Sequence, residues 1–430
     1  MSKAVISNKI YMSVTPELMS ELAKKLTYKI EVIRSKTGNY NVTETIRNYS
    51  IPKAGVIAIP QGRLDLIPEG YEIVDNRTVV DVDFPVPKIE LRESQVPVVE
   101  NWEDSGMLNA PVGWGKSYTA LWIAFKMGQK TLVVTHNTML RDQWASDVKK
   151  LFGINPAIIG SGEFNTDSPI VIGNVQTLTK HAQALSGEFG TIILDEAHHC
   201  PATTFSDIIA ASKARYRIGL SGTLERKDKK HILFKDFFGS YLVKPIQSNT
   251  MTPTVRIVQS GRRMLQGATY PKMINELMED EEYRHFIAGI ARTQALKGHK
   301  VLIISDRVGF AHSMANLLPD CITVTGASSS FDDREIAKEL IQTPEFNIIS
   351  GTRPIFAEGI SINCLSCIIL TCPIAGESLL EQLIGRIMRE YPGKINPEVI
   401  DINFVGKSAK SQNNLRLAFY LLKGWKVDLV

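Results

Sequence analysis

The segment APVGWGKS has the composition of a phosphate-binding loop. Gly113 and Gly115 permit a tight turn and a close approach of the backbone to phosphate. Lys116 supplies a cation for the β- and γ-phosphates of a nucleotide, and Ser117 offers a hydroxyl to Mg²⁺. The alternative is a glycine-rich turn that carries an exposed lysine. The candidate nucleotide-binding residues of this loop are Ala110, Pro111, Val112, Gly113, Trp114, Gly115, Lys116 and Ser117.

Two carboxylates follow a short apolar run further along the chain. Asp195 and Glu196 come directly after TIIL, and ligands of open α/β sheets bind at the carboxyl ends of strands. Asp195 is suited to hold Mg²⁺, and Glu196 is suited to accept a proton from the water that attacks the γ-phosphate. A solvated turn with two acids is the alternative. Paired carboxylates after a strand, in a chain that also carries a phosphate loop, predict ATP hydrolysis.

The elements around these residues predict parallel sheets. GMLNAP before the loop is predicted to be a strand, and KSYTALWIAFKM after it a helix that ends at Gly128. Short apolar runs such as TLVVTH, PIVIG, TIILD and YRIGLS alternate with helix-length segments, and the alternation restarts after about residue 295 with KVLIIS, CITVT, FNIIS, CIILTC and EVIDINF. This pattern predicts an α/β fold with two doubly wound parallel-sheet domains in tandem.

The first 88 residues have a different pattern and predict a small α+β accessory domain. TPELMSELAKKL predicts a helix with Thr15 as its N-cap and Pro16 at its first position. KIEVIR and TVVDVDF predict strands, and FPVPKI predicts an extended connector. The predicted domains are residues 1–88, residues 89–249, and residues 250–430 with the linker at their start.

Composition limits the class of protein. The chain has 430 residues, 44% of them hydrophobic, and a formal net charge of +4, which permits a polyanionic partner. No apolar run is long enough to span a membrane, and no secretory leader is visible, so we expect a cytoplasmic protein. The five cysteines include the CxxC pair Cys364 and Cys367, which we interpret as buried thiols rather than a metal site, because no second pair or histidine cluster follows.

The motifs, in their order along the chain, are similar to those of helicase superfamily 2 over roughly residues 89–405. The matching segments are LRESQ, APVGWGKS, VVTHNTMLRDQW, GNVQTL, DEAH, LSGTLER, LIISDR, GTRPIFAEGISI and QLIGRIMR. The resemblance implies two RecA-like domains, with ATP and Mg²⁺ as cofactors and nucleic acid as the partner.

A closer resemblance links the chain to the phage UvsW-type branch-migration helicases, which unwind branched DNA such as forks and Holliday junctions. The segments that carry it are GRLDLIPEGY, FAEGISINCLSCIIL, QLIGRIMR and YLLKGWKVDLV. It implies a function on branched DNA in the cytoplasm of a phage host. The chain departs from the family pattern at Ser361, where many relatives have aspartate, and at Leu383, where many have arginine.

The resemblance also assigns roles to individual residues. Arg92 and Gln95 correspond to the adenine-recognition motif, and Gln382, Arg386 and Arg389 correspond to the second domain's contribution to catalysis. The last three have the spacing i, i+4 and i+7, which predicts one face of a helix. The implied DNA contacts are Thr135, His136, Gln176, Thr177, Arg307 and Thr352; the implied coupling residues are Ser221, Gly222, Thr223 and Gly359.

Two further basic regions are candidate DNA contacts. Arg262 and Arg263 lie in SGRRMLQG, which predicts a hairpin or an exposed loop that wedges between strands or touches phosphates. The segment from Val405 to Val430 carries five cations and one acid, and its apolar spacing predicts a helix with its cations directed towards DNA.

The sequence leaves several functions open. A helicase for branched DNA is the leading interpretation. A duplex DNA translocase that remodels protein–DNA complexes, and an RNA helicase, would use the same motor motifs. A regulatory ATP-dependent clamp with little turnover is a different class, and intact Asp195 and Glu196 argue against it.

Overall fold

The computed structural model describes residues 2–34, 40–111, 113–197, 203–222, 230–245, 251–264, 269–325, 345–358, 362–374 and 376–430. The chain divides into two compact units. The first contains residues 1–111 and 115–246, and the second contains residues 247–430 together with residues 112–114. Each unit contains a largely or wholly parallel sheet flanked by helices, which confirms the predicted α/β fold with two tandem domains.

The N-terminal segment forms a small mixed sheet and a separate hairpin. Its elements are β1 (Lys3–Ile6), β2 (Lys9–Ser13), α1 (Pro16–Lys25), β3 (Thr27–Arg34), β4 (Tyr40–Arg47), β5 (Ser50–Lys53), β6 (Val56–Pro60), a 3₁₀ turn (Leu64–Leu66) and β7 (Glu72–Asp75). The sheet order is β5-β6-β2-β1-β7, and β3 pairs antiparallel with β4. Helix α1 begins as predicted, because the Thr15 side chain accepts a hydrogen bond from the Leu18 amide.

The predicted strand TVVDVDF is wrong. Thr78 and Asp81 form only isolated bridges, to Ala214 and Gln129. The backbone of this segment bonds to separate loops of the first α/β domain, so no ladder forms. The Phe84 ring packs against Phe125 and Phe152, and this contact holds the connector on the domain that follows it.

The first α/β domain has an eight-stranded sheet. Its elements are α2 (Val96–Glu100), β8 (Gly106–Asn109), α3 (Lys116–Met127), β9 (Thr131–Thr135), α4 (Thr138–Phe152), β10 (Ala157–Gly160), β11 (Glu163–Phe164), β12 (Ile170–Asn174), α5 (Val175–His181), β13 (Thr191–Leu194), α6 (Thr203–Ala211), β14 (Tyr216–Ser221), a 3₁₀ turn (Lys230–Leu233), α7 (Phe234–Phe238) and β15 (Leu242–Val243). The order is β11-β10-β12-β9-β13-β14-β8-β15, and only β11 is antiparallel to its neighbour. Strands β9, β12 and β13 are buried at every position, as expected for central strands of a parallel sheet.

The second α/β domain has a seven-stranded parallel sheet. Its elements are β16 (Thr254–Arg263), α8 (Tyr270–Glu279), α9 (Glu281–Leu296), β17 (Val301–Ser305), α10 (Val308–Leu317), β18 (Cys321–Val324), β19 (Ile348–Thr352), α11 (Arg353–Glu358), β20 (Cys367–Leu370), α12 (Glu377–Gly385), β21 (Glu398–Val405), α13 (Lys407–Leu422) and β22 (Lys426–Leu429). The order is β18-β19-β17-β20-β21-β16-β22. Strand β22, which the sequence did not predict, pairs in parallel with β16.

A buried carboxylate joins the N-terminal segment to the first α/β domain. Asp236 of α7 is fully buried and accepts hydrogen bonds from the Tyr28 hydroxyl at 2.9 Å, the Asn48 amide at 2.7 Å and Arg63 at 3.1 Å. Gly62 lies against the same helix, where an added Cβ would lie 2.7 Å from the Asp236 carbonyl oxygen. The N-terminal segment therefore packs tightly on this domain.

The basic C-terminal segment forms a helix as predicted, but its cations do not all face outward. Arg416 is 2% exposed and bonds to Asp401 of β21 at 2.9 Å. Lys423 pairs with Glu381 at 2.6 Å. The prediction that these cations point towards DNA is wrong for Arg416, because the neighbouring strand supplies a buried carboxylate that neutralises it.

Among the described residues, no helix is long and apolar enough to cross a bilayer. Cys321, Cys364, Cys367 and Cys372 are buried free thiols, which confirms the prediction that the CxxC pair is buried. Burial raises the pKa of Cys321 to about 12, so its thiol stays protonated and unreactive at neutral pH. Cys200 lies outside the described residues.

Candidate functional site

The candidate phosphate loop connects the end of β8 to the start of α3. Gly113 and Gly115 have φ values of +87° and +97°, a left-handed region that favours glycine. An added Cβ at Gly115 would lie only 2.5 Å from the Gln95 amide nitrogen, so the Gln95 side chain would have to move to admit one. Helix α3 then begins at Lys116 and ends at Met127, with Gly128 in the left-handed conformation at its C-terminus, as predicted.

Hydrogen bonds tie the loop to neighbouring motifs. The Lys116 ammonium donates to the Ala110 carbonyl oxygen at 2.9 Å, and the Ala110 amide donates to the Ser221 carbonyl oxygen at 3.1 Å. Ala110 is fully buried at the end of the strand, so its small methyl group fits the packing there, at a position where phosphate loops usually have glycine. Ser117 is half-buried in the first turn of α3, and Trp114 is buried.

Gln95 lies against this loop. It is 4% exposed, its side-chain oxygen accepts a hydrogen bond from the Arg92 amide at 2.9 Å, and its nitrogen donates to the Gly115 carbonyl oxygen at 3.4 Å. Arg92 itself is exposed. The two residues assigned to adenine recognition therefore lie together beside the loop assigned to phosphate.

Asp195 follows β13 directly and is 7% exposed. One carboxylate oxygen accepts a hydrogen bond from the Trp144 indole at 2.8 Å, and the other accepts one from the Glu196 amide at 2.9 Å. Burial and the charge of Glu196 raise the pKa of Asp195, whereas Trp144 and Lys116 oppose that rise. The carboxylate is thus buried, fixed in orientation and within the electrostatic influence of the loop lysine.

Glu196 adopts a backbone conformation that is uncommon for its residue type. Its φ is +49°, and Ser161 is the only other non-glycine residue with a positive φ in the part of the chain that the structure describes. Such conformations cost free energy and cluster at functional sites. Strand β13 therefore ends at Leu194, and the chain turns at Glu196.

The donor set at this site fits a magnesium ion that shares its ligands with a nucleotide. The Ser117 hydroxyl and the Asp195 carboxylate are hard oxygen donors beside the phosphate loop. Mg²⁺ usually takes one or two carboxylates and completes its shell with phosphate oxygens and water. The described residues contain no group of three or more His, Cys, Asp and Glu side chains that could hold a metal without a nucleotide.

The candidate DNA contacts of the first domain lie at the ends of neighbouring strands. Thr135 ends β9 and is fully buried, with its hydroxyl donating to Asn174 at 3.1 Å. His136 is half-buried, and its carbonyl oxygen accepts a hydrogen bond from Gln176 at 3.2 Å. Gln176 is exposed and Thr177 is half-buried on α5. The structure brings these four residues together, but the Thr135 side chain is occupied inside the domain.

The candidate contacts of the second domain are also engaged locally. Thr352 ends β19, is 5% exposed and donates to the Thr325 carbonyl oxygen at 2.6 Å. Arg307 precedes α10, and its guanidinium donates to Asn275 and to the Pro271 carbonyl oxygen of α8. These bonds hold the Arg307 side chain against α8.

The prediction that Gln382, Arg386 and Arg389 share one helical face is wrong. Helix α12 ends at Gly385, so only Gln382 lies within it. Arg386 is 8% exposed and donates to the Phe356 carbonyl oxygen of α11 at 2.8 Å. Arg389 lies beyond the helix and donates to Asn363 at 3.0 Å. Leu383 is fully buried, so the residue that departs from the family pattern is part of the core.

Arg262 and Arg263 end β16 and do not lie in a loop, which corrects the prediction for SGRRMLQG. Gly261 has a φ of +66°, and the pairing register with β21 shifts between Gln259 and Arg263. Arg262 pairs with Asp280 at 3.2 Å and with Glu282 at 2.6 Å, and Arg263 is exposed.

Of the coupling residues, Ser221 is buried and Gly222 is half-buried.

Some predicted positions lie outside the described residues. They are Val112, Thr223, Ser361 and Gly359.

Sequence reasoning missed Trp144. It is 1% exposed on α4 and donates to Asp195. Its only signal was its position at the end of the segment VVTHNTMLRDQW, because contact between a helix side chain and a neighbouring strand depends on tertiary packing.

Known proteins are similar to this chain in sequence or in fold. Residues 88–226 match the family described as "Type III restriction enzyme, res subunit". The chain is 42% identical over 437 residues to the "Probable helicase D10" of Escherichia phage T5, covering 99% of this chain and 95% of that protein. It is 25% identical over 345 residues to the "ATP-dependent DNA helicase uvsW" of Enterobacteria phage T4, covering 73% and 68% respectively. The structure of S. cerevisiae Dbp5 bound to RNA and ADP BeF3 has a TM-score of 0.59 at 12% identity, the match covers 79% of this chain and 89% of that chain, and it shows the fold alone.

Proposed function

The chain belongs to the superfamily 2 helicases, on its UvsW-like branch, and from that premise we propose that it unwinds or branch-migrates branched DNA. As a member of that family it is an ATP-hydrolysing helicase that acts on nucleic acid. The observation that best supports the proposed reaction is the group formed by Lys116, Asp195 and Glu196 at the carboxyl edge of the first parallel sheet.

Each residue of this group has a chemical role in the proposal. Lys116 exchanges the Ala110 carbonyl oxygen for a phosphate oxygen when the nucleotide binds, so the loop is held ready by a bond that ATP replaces. Ser117 and Asp195 would hold Mg²⁺, which would neutralise charge on the phosphates. Glu196 accepts the proton of the attacking water. Arg92 and Gln95 hold the adenine.

The second domain is proposed to complete the reaction. Gln382, Arg386 and Arg389 stabilise charge on the γ-phosphoryl group, a contribution worth about 10³–10⁵ in rate in other nucleotide hydrolases. Arg386 already has a buried acceptor in its own domain, so Arg389, which is half-buried, is the better candidate for direct contact. Ser221, Gly222, Thr223 and Gly359 are proposed to couple hydrolysis to DNA movement.

The proposed substrate is branched duplex DNA. The three proposed domains are residues 1–88, which bind the duplex, residues 89–249 and residues 250–430. Contacts to the phosphate backbone of DNA recognise its charge and not its base sequence. The residues proposed to make such contacts are Thr135, His136, Gln176, Thr177, Arg307 and Thr352. Relatives are named for both nucleic acids, a DNA helicase in phage T4 and a putative RNA helicase in Acanthamoeba polyphaga mimivirus, so a comparison of substrates decides between DNA and RNA.

A comparison of substrates tests this proposal. We expect ATP-dependent strand separation of forks and four-way junctions to exceed that of linear duplex and of an RNA duplex of equal length. Equal or greater activity on the RNA duplex would assign the protein to RNA instead.

A duplex translocase that remodels protein–DNA complexes is the second candidate, because it would use the same motor residues. A translocase would displace a bound protein from linear duplex without separating its strands. The same set of substrates therefore distinguishes a translocase from a helicase. A regulatory clamp predicts an ATPase rate that DNA does not raise.

A further inference from the structure

A cavity of about 110 Å³ lies between the N-terminal sheet and the first α/β domain. Its walls come from both sides, with β2, β4 and β6 and their adjoining loops on one side and α6, β14 and α7 on the other. On the same scale a single water needs only about 10–15 Å³, so the cavity has room for a phosphate group. It lies at the base of the β3–β4 hairpin, where Arg47 ends β4.

Three basic side chains line this cavity. Arg217 of β14 is 1% exposed and donates to the carbonyl oxygens of Ser212 and Asn8, Lys9 is half-buried, and Arg47 is exposed. Within the described residues, neither Lys9 nor Arg47 forms an ion pair with a carboxylate. A buried cation with two further cations nearer the surface is an arrangement that suits a phosphate.

One carboxylate, Asp236, also lines the cavity, but it is already compensated. It belongs to a chain of alternating charges with Arg63, Asp65 and Lys235, in which successive groups lie 2.9–3.1 Å apart. Because two cations and two anions balance within that chain, the formal charge left along the cavity is positive. The Tyr28 hydroxyl and the Asn48 amide further occupy the Asp236 oxygens.

We infer that this cavity binds a phosphate group, and that its ligand is a backbone phosphate of the duplex arm held by the N-terminal domain. Lys9 and Arg47 contact the phosphate from the outer side and Arg217 from the inner side. The contact would place the duplex at the joint between the accessory domain and the motor. The inference rests on the proposed DNA function for its ligand, but the anion site itself does not require unwinding activity.

The test uses the full chain with Lys9→Met and Arg47→Met combined. We expect weaker binding of a short linear duplex in the absence of ATP, and a salt slope of log K reduced by up to about one, since both cations contact the same phosphate and about 0.9 counterions are released per phosphate contact. The matched control combines Lys24→Met and Lys53→Met, two exposed lysines of the same segment that do not line the cavity. We expect this control variant to change the salt dependence of duplex binding much less than the cavity variant does.

A second measurement separates the possible sources of the phosphate. Inorganic phosphate at matched ionic strength should raise the thermal midpoint of the wild type more than that of the cavity variant, because a ligand of the native state stabilises it. Binding at the phosphate loop contributes equally to both proteins. If the cavity substitutions weaken stabilisation by phosphate but leave DNA binding unchanged, the cavity is an anion site whose ligand is not the DNA backbone.

The inference is overturned if the cavity variant and the control variant behave alike with both ligands. Junction unwinding is measured on the wild type separately. If the wild type unwinds no branched DNA but the cavity variant still loses phosphate binding, the proposed function fails while the anion site stands.

Discussion

At the scale of single residues, the nucleotide site depends on side chains that hold others in place. Trp144 orients Asp195, Ala110 holds Lys116, and Gln95 fills the space beside Gly115. The loop and the two acids were predictable from the sequence, because glycine, lysine and paired carboxylates have few other uses in that order. Trp144 was not, since its contact crosses from a helix to a strand.

Replacing Trp144 with phenylalanine tests its role. The change keeps an aromatic ring but removes the indole donor, which leaves one Asp195 oxygen without that hydrogen bond. We expect a loss of about 10–100-fold in kcat/KM for ATP and a higher Mg²⁺ concentration for half-maximal activity, by analogy with partners of metal ligands. The measurement is ATPase activity over a range of Mg²⁺ concentrations.

Trp122→Phe is the matched control, because the Trp122 indole donates to the Ile89 carbonyl oxygen in the same domain and away from Asp195. If both variants require the same Mg²⁺ concentration as the wild type, Trp144 has only a packing role.

The Glu196→Gln variant tests the proposed base. Glutamine keeps the size of the side chain but cannot accept the proton of the attacking water. We expect turnover to fall by about 10²–10⁴-fold while ATP still binds. Equilibrium binding of a fluorescent ATP analogue and single-turnover hydrolysis measure the two steps, and normal hydrolysis would remove Glu196 from the mechanism.

At the scale of elements, the strands were easier to predict than the ends of helices and loops. Runs such as Val301–Ser305 are apolar or small at every position, which is typical of strands that are buried on both faces of a parallel sheet. Helix α12 was predicted to continue to Arg389, but it ends at Gly385, where Arg386 turns to the Phe356 carbonyl oxygen. The apolar periodicity of the segment reports only local structure, so it could not predict a hydrogen bond to the carbonyl oxygen of another helix.

A buried histidine links several elements of the second sheet. His299 precedes β17, is 5% exposed, and its Nδ1 lies 3.1 Å from the Ser366 hydroxyl. Its Nε2 lies 3.9 Å from Glu398, the first residue of β21, which Arg256 of β16 also binds. Burial lowers the pKa of His299 below its ordinary value of 6.5, so the folded state favours the neutral ring.

This shift predicts a pH dependence of stability. Below pH 6.5 the unfolded chain binds a proton that folded His299 resists, so the free energy of unfolding should fall as the pH drops from 6.5 towards the lowered pKa. We expect His299→Gln, which keeps a hydrogen-bonding side chain, to flatten this dependence. Urea unfolding of both proteins between about pH 7 and pH 5 measures the difference, and parallel curves would contradict the prediction.

At the scale of the whole molecule, the N-terminal segment and the first α/β domain form one compact unit. Their polar joint around Asp236 was invisible in the sequence, because Tyr28, Asn48 and Arg63 lie far from Asp236 along the chain. Removing the first 87 residues would uncover a buried carboxylate, so a truncated protein would lose stability along with any DNA contact. Single substitutions in the joint are the better test.

Tyr28→Phe removes one donor from the buried Asp236 carboxylate. Burial already raises the pKa of Asp236, and the Tyr28 hydrogen bond opposes that rise. We expect the first unit to lose about 1–3 kcal/mol of stability, the usual cost of an unsatisfied buried group. Tyr71→Phe is the control, because its hydroxyl donates to an exposed backbone oxygen. Equal stability of the two variants in urea unfolding would show that the joint tolerates the loss.

The strand order of the second sheet has a consequence for protein synthesis. Strand β16 opens the second α/β domain, yet both of its neighbours, β21 and β22, are made after every other strand of that sheet. While the ribosome completes the intervening chain, β16 exposes two unpaired edges, and long-range parallel pairing forms slowly. The first unit contains all of its own strands and can fold earlier. A premature stop before β21 would therefore release a protein with a folded first sheet and an open, aggregation-prone strand in its second domain.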